Sequence, residues 1–336
     1  MLALWVALYS SSWILMWSLI ELVTILMISL MSSHLSPRVV ESMAKYYIIQ
    51  AVASAVLLLG ILSRYYLSGL TSIFSFYEGF SYGLILIGLF IKIAVFPNPF
   101  WFVDVISGVG LLRGFYIIVV SKLLPIYLYM SITTSINFFI LLGGLGAVTF
   151  GSILGLNQTN VRKLVALSSV AHLGWLIVGF PSLSLSSCIF VLLSYFLMVF
   201  PVLWISGSYE VEDLSNMSRC YFHPWLLLVL ILSLLSLGGL PPLLGFIYKW
   251  IIFVGLVKAN AYMVGGYLIL MSLISLFFYL RLCYLLYSTY WPEAKVTLVG
   301  SYAWPISEVP LVWGLTVVMA VSLGVAIFCL APINVF

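Results

Sequence analysis

The stretch Leu237-Gly-Gly-Leu-Pro-Pro-Leu-Leu-Gly-Phe-Ile-Tyr-Lys-Trp250 interrupts an apolar run from Trp225 to Val257. That run is longer than the ~20 residues that a spanning helix needs. Pro241 and Pro242 cannot donate backbone hydrogen bonds and their rings clash with the preceding turn, so we predict that the helix breaks there. A break inside a bilayer is tolerated only where the freed groups are buried in protein or line a hydrated cavity. Lys249 follows the prolines, and a broken helix with a deep lysine is typical of a site that moves ions or protons through a membrane.

The composition of the chain points to an integral membrane protein. Of its 336 residues, 64% are hydrophobic and 7% are charged, against about 25% charged in soluble domains. We therefore expect an all-α, polytopic membrane helix bundle. The 13 basic and 9 acidic side chains are too few and too scattered to form a nucleic-acid surface. The four cysteines are far apart and form no CxxC pair, so we expect neither a metal site nor an iron–sulfur cluster in this chain.

The apolar runs predict about ten spanning segments joined by short connections. We place them near residues 13–31, 42–63, 80–103, 107–131, 133–155, 161–180, 184–206, 224–257, 261–288 and 309–331. We expect two of these helices to be interrupted, at Pro97 and at Pro241 and Pro242. The chain then forms a single membrane domain over residues 1–336. Within it, residues 1–11 are a truncated first helix, 12–290 the core, and 291–336 a C-terminal loop and last helix.

The basic residues of the connections predict an orientation in the membrane. If the segments alternate, one side carries five of these residues and the other carries two. The first group is Arg38, Arg162, Lys163, Arg219 and Lys295, and the second is Arg64 and Lys258. The positive-inside rule places the first group on the cytoplasmic or matrix side. The C-terminus is then predicted on the opposite side, and the polar connection Ser206–His223 is predicted to be a solvated loop.

Four ionisable side chains lie deep in predicted spans: Glu21, Lys92, Lys122 and Lys249. A charge at the bilayer centre costs about 2.5 to 3.5 kcal/mol on insertion scales, so each calls for a reason. One interpretation is that each is a paired ion that holds helices together. The other is a proton relay, because burial disfavours the charged form of a lysine and a nearby carboxylate favours it. A glutamate opposite a lysine then forms a two-state switch, and water can carry the proton between lysines.

Two further residues are candidates for the relay. His172 is a natural intermediate because imidazole titrates near physiological pH, although it is also compatible with a satisfied polar group in a bundle. Lys163 lies next to a connection and is equally compatible with a topology anchor. The two are nine residues apart, about 180° around a straight helix, so they should not face each other.

Two long motifs resemble one known family. The stretch Leu237 to Trp250 closely resembles the LGGLPPLTGFxxKW motif of the NADH:ubiquinone oxidoreductase chain 2 family, the antiporter-like subunits of mitochondrial complex I. Residues 155–175, GLNQTNVRKLVALSSVAHLGW, resemble GLNQTxxRKxxAxSSxxHxGW of the same family. Weaker matches at 17–21, 44–54 and 122–125 extend the resemblance over residues 12 to 290.

The resemblance implies an antiporter-like fold and a role for each deep residue. Glu21 matches a glutamate that pairs with a lysine two helices on, and Lys92 matches that lysine. Lys122 and Lys249 match the central and exit-side lysines of a hydrated axis, with His172 between them. Two positions depart from the family pattern: Pro99 stands where the family often has histidine, and Asp104 where it usually has glutamate.

The resemblance also implies an activity. The chain is expected to be a proton-translocating membrane-arm subunit in the mitochondrial inner membrane, and so part of an NADH:ubiquinone reductase. NADH, FMN, iron–sulfur clusters and ubiquinone would lie elsewhere in the complex, with no cofactor in this chain. The expected partners are other membrane-arm subunits, accessory subunits and lipids. The alternatives are a subunit of a multi-subunit cation/proton antiporter and a structural membrane scaffold.

Overall fold

A computed structural model of the protein describes residues 6–7, 9–10, 12–32, 36–69, 79–209, 211–214 and 224–290. Over these ranges the chain is a bundle of helices without a β-strand, as the apolar composition predicts. Residues Asn160 and Asp213 form an isolated antiparallel β-bridge. The helices are α1 Trp13–Met31, α2 Pro37–Ser68, α3 Phe80–Ile93, α4 Phe100–Val109, α5 Leu111–Ile132, α6 Phe138–Leu156, α7 Val161–Gly179, α8 Leu185–Ser208, α9 Pro224–Gly238, α10 Leu244–Lys258 and α11 Tyr262–Tyr290.

The predicted count of about ten spans is not confirmed. In the described part of the chain, seven helices are long and apolar enough to cross a membrane: α1, α2, α5, α6, α7, α8 and α11. The breaks divide two of the predicted segments into the shorter helices α3, α4, α9 and α10, of 10 to 15 residues each. The predicted last span, 309–331, lies outside the described residues.

Both predicted interruptions are present. Helix α3 ends at Ile93, and α4 begins at Phe100, after a segment that contains Pro97 and Pro99. The turn at Ala94 has a positive φ of 65°. Helix α9 ends at Gly238 and α10 begins at Leu244, with Pro241 and Pro242 in the connection. A third irregularity was not predicted: the Tyr116–Val120 turn of α5 is a π-helix, a feature often found at functional sites.

Helix α7 is the centre of the bundle. In the apolar stretch with which α7 would cross a membrane, 94% of the residues are buried. The corresponding value for α1 is 28%, so α1 lies on the outside of the bundle. Helix α6 packs along α7 because glycines allow the two backbones to approach. A Cβ atom at Gly174 would lie 2.6 Å from the carbonyl oxygen of Gly144. Helices α4, α8 and α10 also contact α7, so its polar residues face protein and not lipid.

The connection after α8 is attached to the start of α7. The backbone N–H of Val161 donates to the carbonyl of Glu212, and that of Leu214 donates to the carbonyl of Thr159. Arg162 forms a 2.7 Å ion pair with the Glu212 carboxylate. This part of the loop is therefore bound to the bundle and not simply solvated. The rest of this loop, residues 210 and 215–223, lies outside the described residues. The same is true of Lys295, one of the basic residues that predict the orientation in the membrane.

Candidate functional site

Glu21 and Lys92 form an ion pair between α1 and α3. The Lys92 Nζ donates to Glu21 Oε1 over 3.0 Å. The lysine side chain is 1% exposed and the glutamate 27%, so the pair is buried on one side only. The two residues are 71 positions apart in sequence, and the motif resemblance correctly predicted that they would meet.

Lys92 lies where its helix ends. It is in the last turn of α3, directly before the segment that contains Pro97. The amide of Gln50 reaches its backbone carbonyl at 3.5 Å. An interrupted helix leaves carbonyls without intrahelical donors, so polar groups gather around this end of α3. Here the chain holds a titratable pair next to a backbone irregularity.

Lys122 lies fully inside the protein. It is 1% exposed, and its ammonium nitrogen has no hydrogen-bond partner among the described residues. The Lys122 Nζ instead lies over the aromatic ring of Phe102 on α4, 3.5 Å from the ring centroid, which is the geometry of a cation–π interaction. Lys122 is the second residue after the π-helical turn of α5, and Pro125 lies within the same helix three residues later. A buried ammonium with free donors has capacity for water or a moving proton.

Lys249 reaches back across the second break. Its Nζ donates to the carbonyl oxygen of Gly238, the last residue of α9, over 3.1 Å. That carbonyl is free because the helix stops before Pro241. Gly239 makes the contact possible: its φ is 86°, and a Cβ atom there would lie 2.8 Å from Lys249 Nζ. The broken helix therefore creates the acceptor that holds the lysine.

His172 is held by two tyrosines. Its Nδ1 lies 2.5 Å from the hydroxyl of Tyr248 and its Nε2 lies 3.1 Å from the hydroxyl of Tyr279. In a neutral imidazole one nitrogen donates and the other accepts, so in either tautomer one tyrosine donates to the ring and the other accepts from it. The result is a three-residue hydrogen-bonded chain across α10, α7 and α11. The ring of Tyr195 packs against the imidazole at 5.7 Å.

His172 and Lys249 line one small cavity. Its volume is about 10 Å³, close to the minimum that holds a single water. Ser275 and Tyr279 provide further polar groups at its wall, and Trp175 closes it with an indole ring 5.9 Å from Lys249 Nζ. One water here would connect the imidazole–tyrosine chain to the lysine, because no hydrogen bond among the described residues joins them directly.

The remaining predicted site residues lie elsewhere. Lys163 is in the first turn of α7, where its backbone N–H donates to the side chain of Asn160. It is on the same helix as His172 but not in the cavity that His172 lines. Asp104 is on the periphery, 3.9 Å from Lys45, and half of its side chain is exposed.

Sequence reasoning missed the residues that surround the charges. Tyr248 stood beside Lys249 in the quoted motif and could have been inferred from it. Tyr279 and Phe102 had no sequence signal, because an aromatic side chain in an apolar helix is most often core. In the described ranges no three His, Cys, Asp or Glu side chains come together as a metal site requires.

Comparisons with known proteins agree with this architecture. Residues 10–277 match the family model described as NADH:quinone oxidoreductase/Mrp antiporter, TM. NADH-ubiquinone oxidoreductase chain 2 of Patiria pectinifera is 32% identical over 338 residues, which cover 98% of this chain and 94% of that protein.

Two solved structures share the fold. A chain of respiratory complex I from Thermus thermophilus superposes with a TM-score of 0.82 at 23% identity, covering 93% of this chain and 72% of that one. A chain of the Mrp complex from Dietzia sp. superposes with a TM-score of 0.74 at 19% identity, covering 82% of this chain and 57% of that one.

Proposed function

Because the chain belongs to the NADH-ubiquinone oxidoreductase chain 2 family, we propose that it is a membrane-arm subunit of respiratory complex I that translocates protons. It is a multi-pass membrane protein of an oxidoreductase complex. The electron transfer from NADH to ubiquinone, with FMN and the iron–sulfur clusters, belongs to other subunits in this proposal. This chain contributes buried lysine, glutamate and histidine side chains with water between them.

One observation carries the proposal. Each of the three deep lysines is buried, and each adjoins an irregularity of its helix: Lys92 the end of α3, Lys122 the π-helical turn, and Lys249 the break after α9. Irregular backbone at membrane depth is tolerated where it lines a hydrated path. Ions that only fixed the register of helices would not need three separate irregularities beside them.

The contacts suggest a role for each residue. Glu21 and Lys92 form the switch, because separating the carboxylate from the lysine removes the partner that favours its charged form. Lys122 is the central carrier. His172 with its tyrosines and Lys249 form the far part of the relay, and Lys163 is the member nearest the start of α7. Water must bridge the intervals from the Glu21–Lys92 pair to Lys122 and onward, since no hydrogen bond among the described residues joins these parts directly.

The wider setting is also part of the proposal. We place the chain in the mitochondrial inner membrane with its C-terminus in the intermembrane space, on the basis of the basic connections. Its partners are the neighbouring membrane-arm subunits, accessory subunits and lipids, and residues 1–336 act as one membrane domain. Moving one charge against 100 mV costs about 2.3 kcal/mol, a cost that the redox reaction must supply.

The test is the proton yield of the intact complex. Complex carrying Lys122→Met or Lys249→Met is reconstituted in vesicles, and protons moved per NADH oxidised are compared with wild type. Both variants are expected to oxidise NADH but to move clearly fewer protons per NADH oxidised than wild type. Lys258→Met, an exposed lysine at the end of α10, is the matched control and is expected to leave the yield unchanged. A wild-type yield in both buried variants would contradict the relay and favour a scaffold.

The competing function is a cation/proton antiporter subunit, which the shared fold of the Mrp chain also supports. The two differ in what the chain assembles with. Mildly solubilised inner membranes are separated on a native gel, stained for NADH dehydrogenase activity, and analysed by mass spectrometry for peptides of this chain. Co-migration with the active band supports complex I. Migration apart from that activity favours the antiporter.

A further inference from the structure

A basic pocket lies at one end of the bundle, away from the deep lysines. It has a volume of about 360 Å³, within the ~300–1,000 Å³ of typical ligand sites. It forms where α2 and α7 begin and α4 and α8 end. Its charged lining consists of Arg38, Arg113, Arg162 and Glu212, so positive charge exceeds negative. Arg38 and Arg162 belong to the more basic side of the predicted topology, the side that faces anionic lipid in the positive-inside orientation.

Two of these arginines have donors that the described residues do not use. Arg162 is partly engaged, with Glu212 at 2.7 Å and the carbonyl of Ser107 at 3.3 Å, but its Nε is buried without a hydrogen-bond partner. One terminal nitrogen of Arg113 is likewise buried and unpartnered among the described residues. Leaving a buried donor unsatisfied costs about 1–3 kcal/mol. An anionic ligand with several acceptor oxygens would satisfy both groups.

An apolar groove adjoins this pocket, and Arg113 lines both. The groove has a volume of about 200 Å³ and lies between α5 and α8, with Phe115, Tyr116, Phe200 and Trp204 along it. Tyr116 and Trp204 are partly exposed on the outside of the bundle, where a spanning helix meets lipid. Charged donors next to an aromatic groove match a molecule with a polar head and a long apolar tail.

We propose that this pocket binds the phosphate of an anionic phospholipid through Arg38, Arg113 and Arg162, while an acyl chain of the same lipid lies in the groove beside Trp204. Guanidinium groups bind phosphate oxygens in pairs, which accounts for arginine at all three basic positions. Free phosphate would satisfy the arginines but leave the groove unfilled. A zwitterionic lipid would fill the groove but carries a cation beside the phosphate. The site is independent of the proton relay.

The test uses the intact complex and photoactivatable lipids. Complex in detergent is incubated with phosphatidylglycerol or with phosphatidylcholine, each carrying a diazirine on one acyl chain, then irradiated and digested. Mass spectrometry maps the labelled residues. Phosphatidylglycerol is expected to label the groove residues of α5 and α8 several-fold more than phosphatidylcholine. Arg113→Gln is expected to reduce that labelling about fivefold, the equivalent of about 1 kcal/mol per basic residue. Lys258→Gln, the same charge change at the end of α10, is expected to leave it unchanged.

Three results would overturn the proposal. Equal labelling of the groove by both lipids removes the role of the arginines. Absence of label from the groove means that another subunit covers it. Loss of the phosphatidylglycerol label with 10 mM inorganic phosphate, at constant ionic strength, assigns the pocket to a free anion. If the complex that carries Arg113→Gln fails to assemble, Arg113→Lys replaces it as the test variant, because it keeps the positive charge but removes the guanidinium group. The wild-type ratio of the two lipids at low and high salt, expected to fall at high salt, needs no variant.

Discussion

The ammonium nitrogen of Lys249 donates a hydrogen bond to the carbonyl oxygen of Gly238 over 3.1 Å. This bond links the N-terminal part of α10 to the last residue of α9 across the break between the two helices. The interruption and the lysine are therefore one feature. The prolines end the helix, the ended helix exposes a carbonyl, and the carbonyl holds the lysine. A change in any of the three should disturb the others, and Gly239, in the turn between the two helices, is the position most sensitive to substitution.

Gly239→Ala should displace Lys249. Gly239 has φ 86°, and a Cβ atom there would lie 2.8 Å from Lys249 Nζ. A non-glycine residue in the left-handed region costs about 1–2 kcal/mol before any clash is counted. We expect lower thermal stability of the complex together with a lower proton yield per NADH. Differential scanning fluorimetry and vesicle acidification measure the two.

Gly266→Ala is the matched control for that substitution. Gly266 lies within α11, has an ordinary φ, and nothing within 4 Å would meet its Cβ atom. Alanine favours a helix interior by about 1 kcal/mol over glycine, so this variant should be as stable as wild type or slightly more. Equal behaviour of the two variants would argue against a special role for the turn.

Removing a tyrosine hydroxyl should disconnect His172. Tyr248→Phe leaves Nδ1 without its partner at 2.5 Å, and Tyr279→Phe leaves Nε2 without its partner at 3.1 Å. A buried group that loses its partner costs about 1–3 kcal/mol. We expect each variant to lower the proton yield and the melting temperature of the complex. Tyr284→Phe, an exposed tyrosine on α11, should change neither. Normal pumping in the variant that carries both tyrosine substitutions would exclude the hydrogen-bonded chain of Tyr248, His172 and Tyr279 from the relay.

Glu21 and Lys92 should be energetically coupled. Glu21→Gln leaves Lys92 buried without its carboxylate, and breaking a buried pair costs about 3–5 kcal/mol. Because Glu21 is partly exposed, we expect a value at the lower end. Lys92→Met in the Glu21→Gln background should cost much less than in wild type, since no unpaired ammonium remains. A double-mutant cycle on melting temperature and proton yield measures the coupling.

The surface pair Glu41 and Lys45 provides the comparison. These residues are one helical turn apart, 2.7 Å from each other and largely exposed, and exposed pairs contribute little. Glu41→Gln should therefore have no measurable effect on either readout. Additive effects within the Glu21 and Lys92 cycle would show that the ion pair observed in the structure does not operate as a unit.

Much of this arrangement could be predicted from the sequence. Prolines act locally, so Pro97 and Pro241 located both breaks, and the cost of buried charge identified Lys92, Lys122 and Lys249 without a structure. The contacts around them could not be derived, because they join residues 76 and 107 positions apart, as for His172 with Tyr248 and Tyr279. The π-helical turn before Lys122 carries no proline or glycine signal. The span count stays unconfirmed, because the two interrupted spans each consist of two short helices and the predicted span 309–331 lies outside the described residues.

Phe102→Leu should loosen Lys122. The ring of Phe102 lies 3.5 Å from Lys122 Nζ, and a desolvated cation–π contact contributes about 2 kcal/mol. Leucine keeps the site apolar but provides no ring, so the ammonium loses its observed contact. If Lys122 carries protons, the variant should lower the proton yield while NADH oxidation continues. Adding Phe102→Leu to Lys122→Met should then produce no further loss of yield, because the ring acts through the lysine. Phe139→Leu, on the exposed face of α6, is the matched control and should pump like wild type. A full loss of yield only when both substitutions are combined would mean that Phe102 and Lys122 serve separate parts of the path.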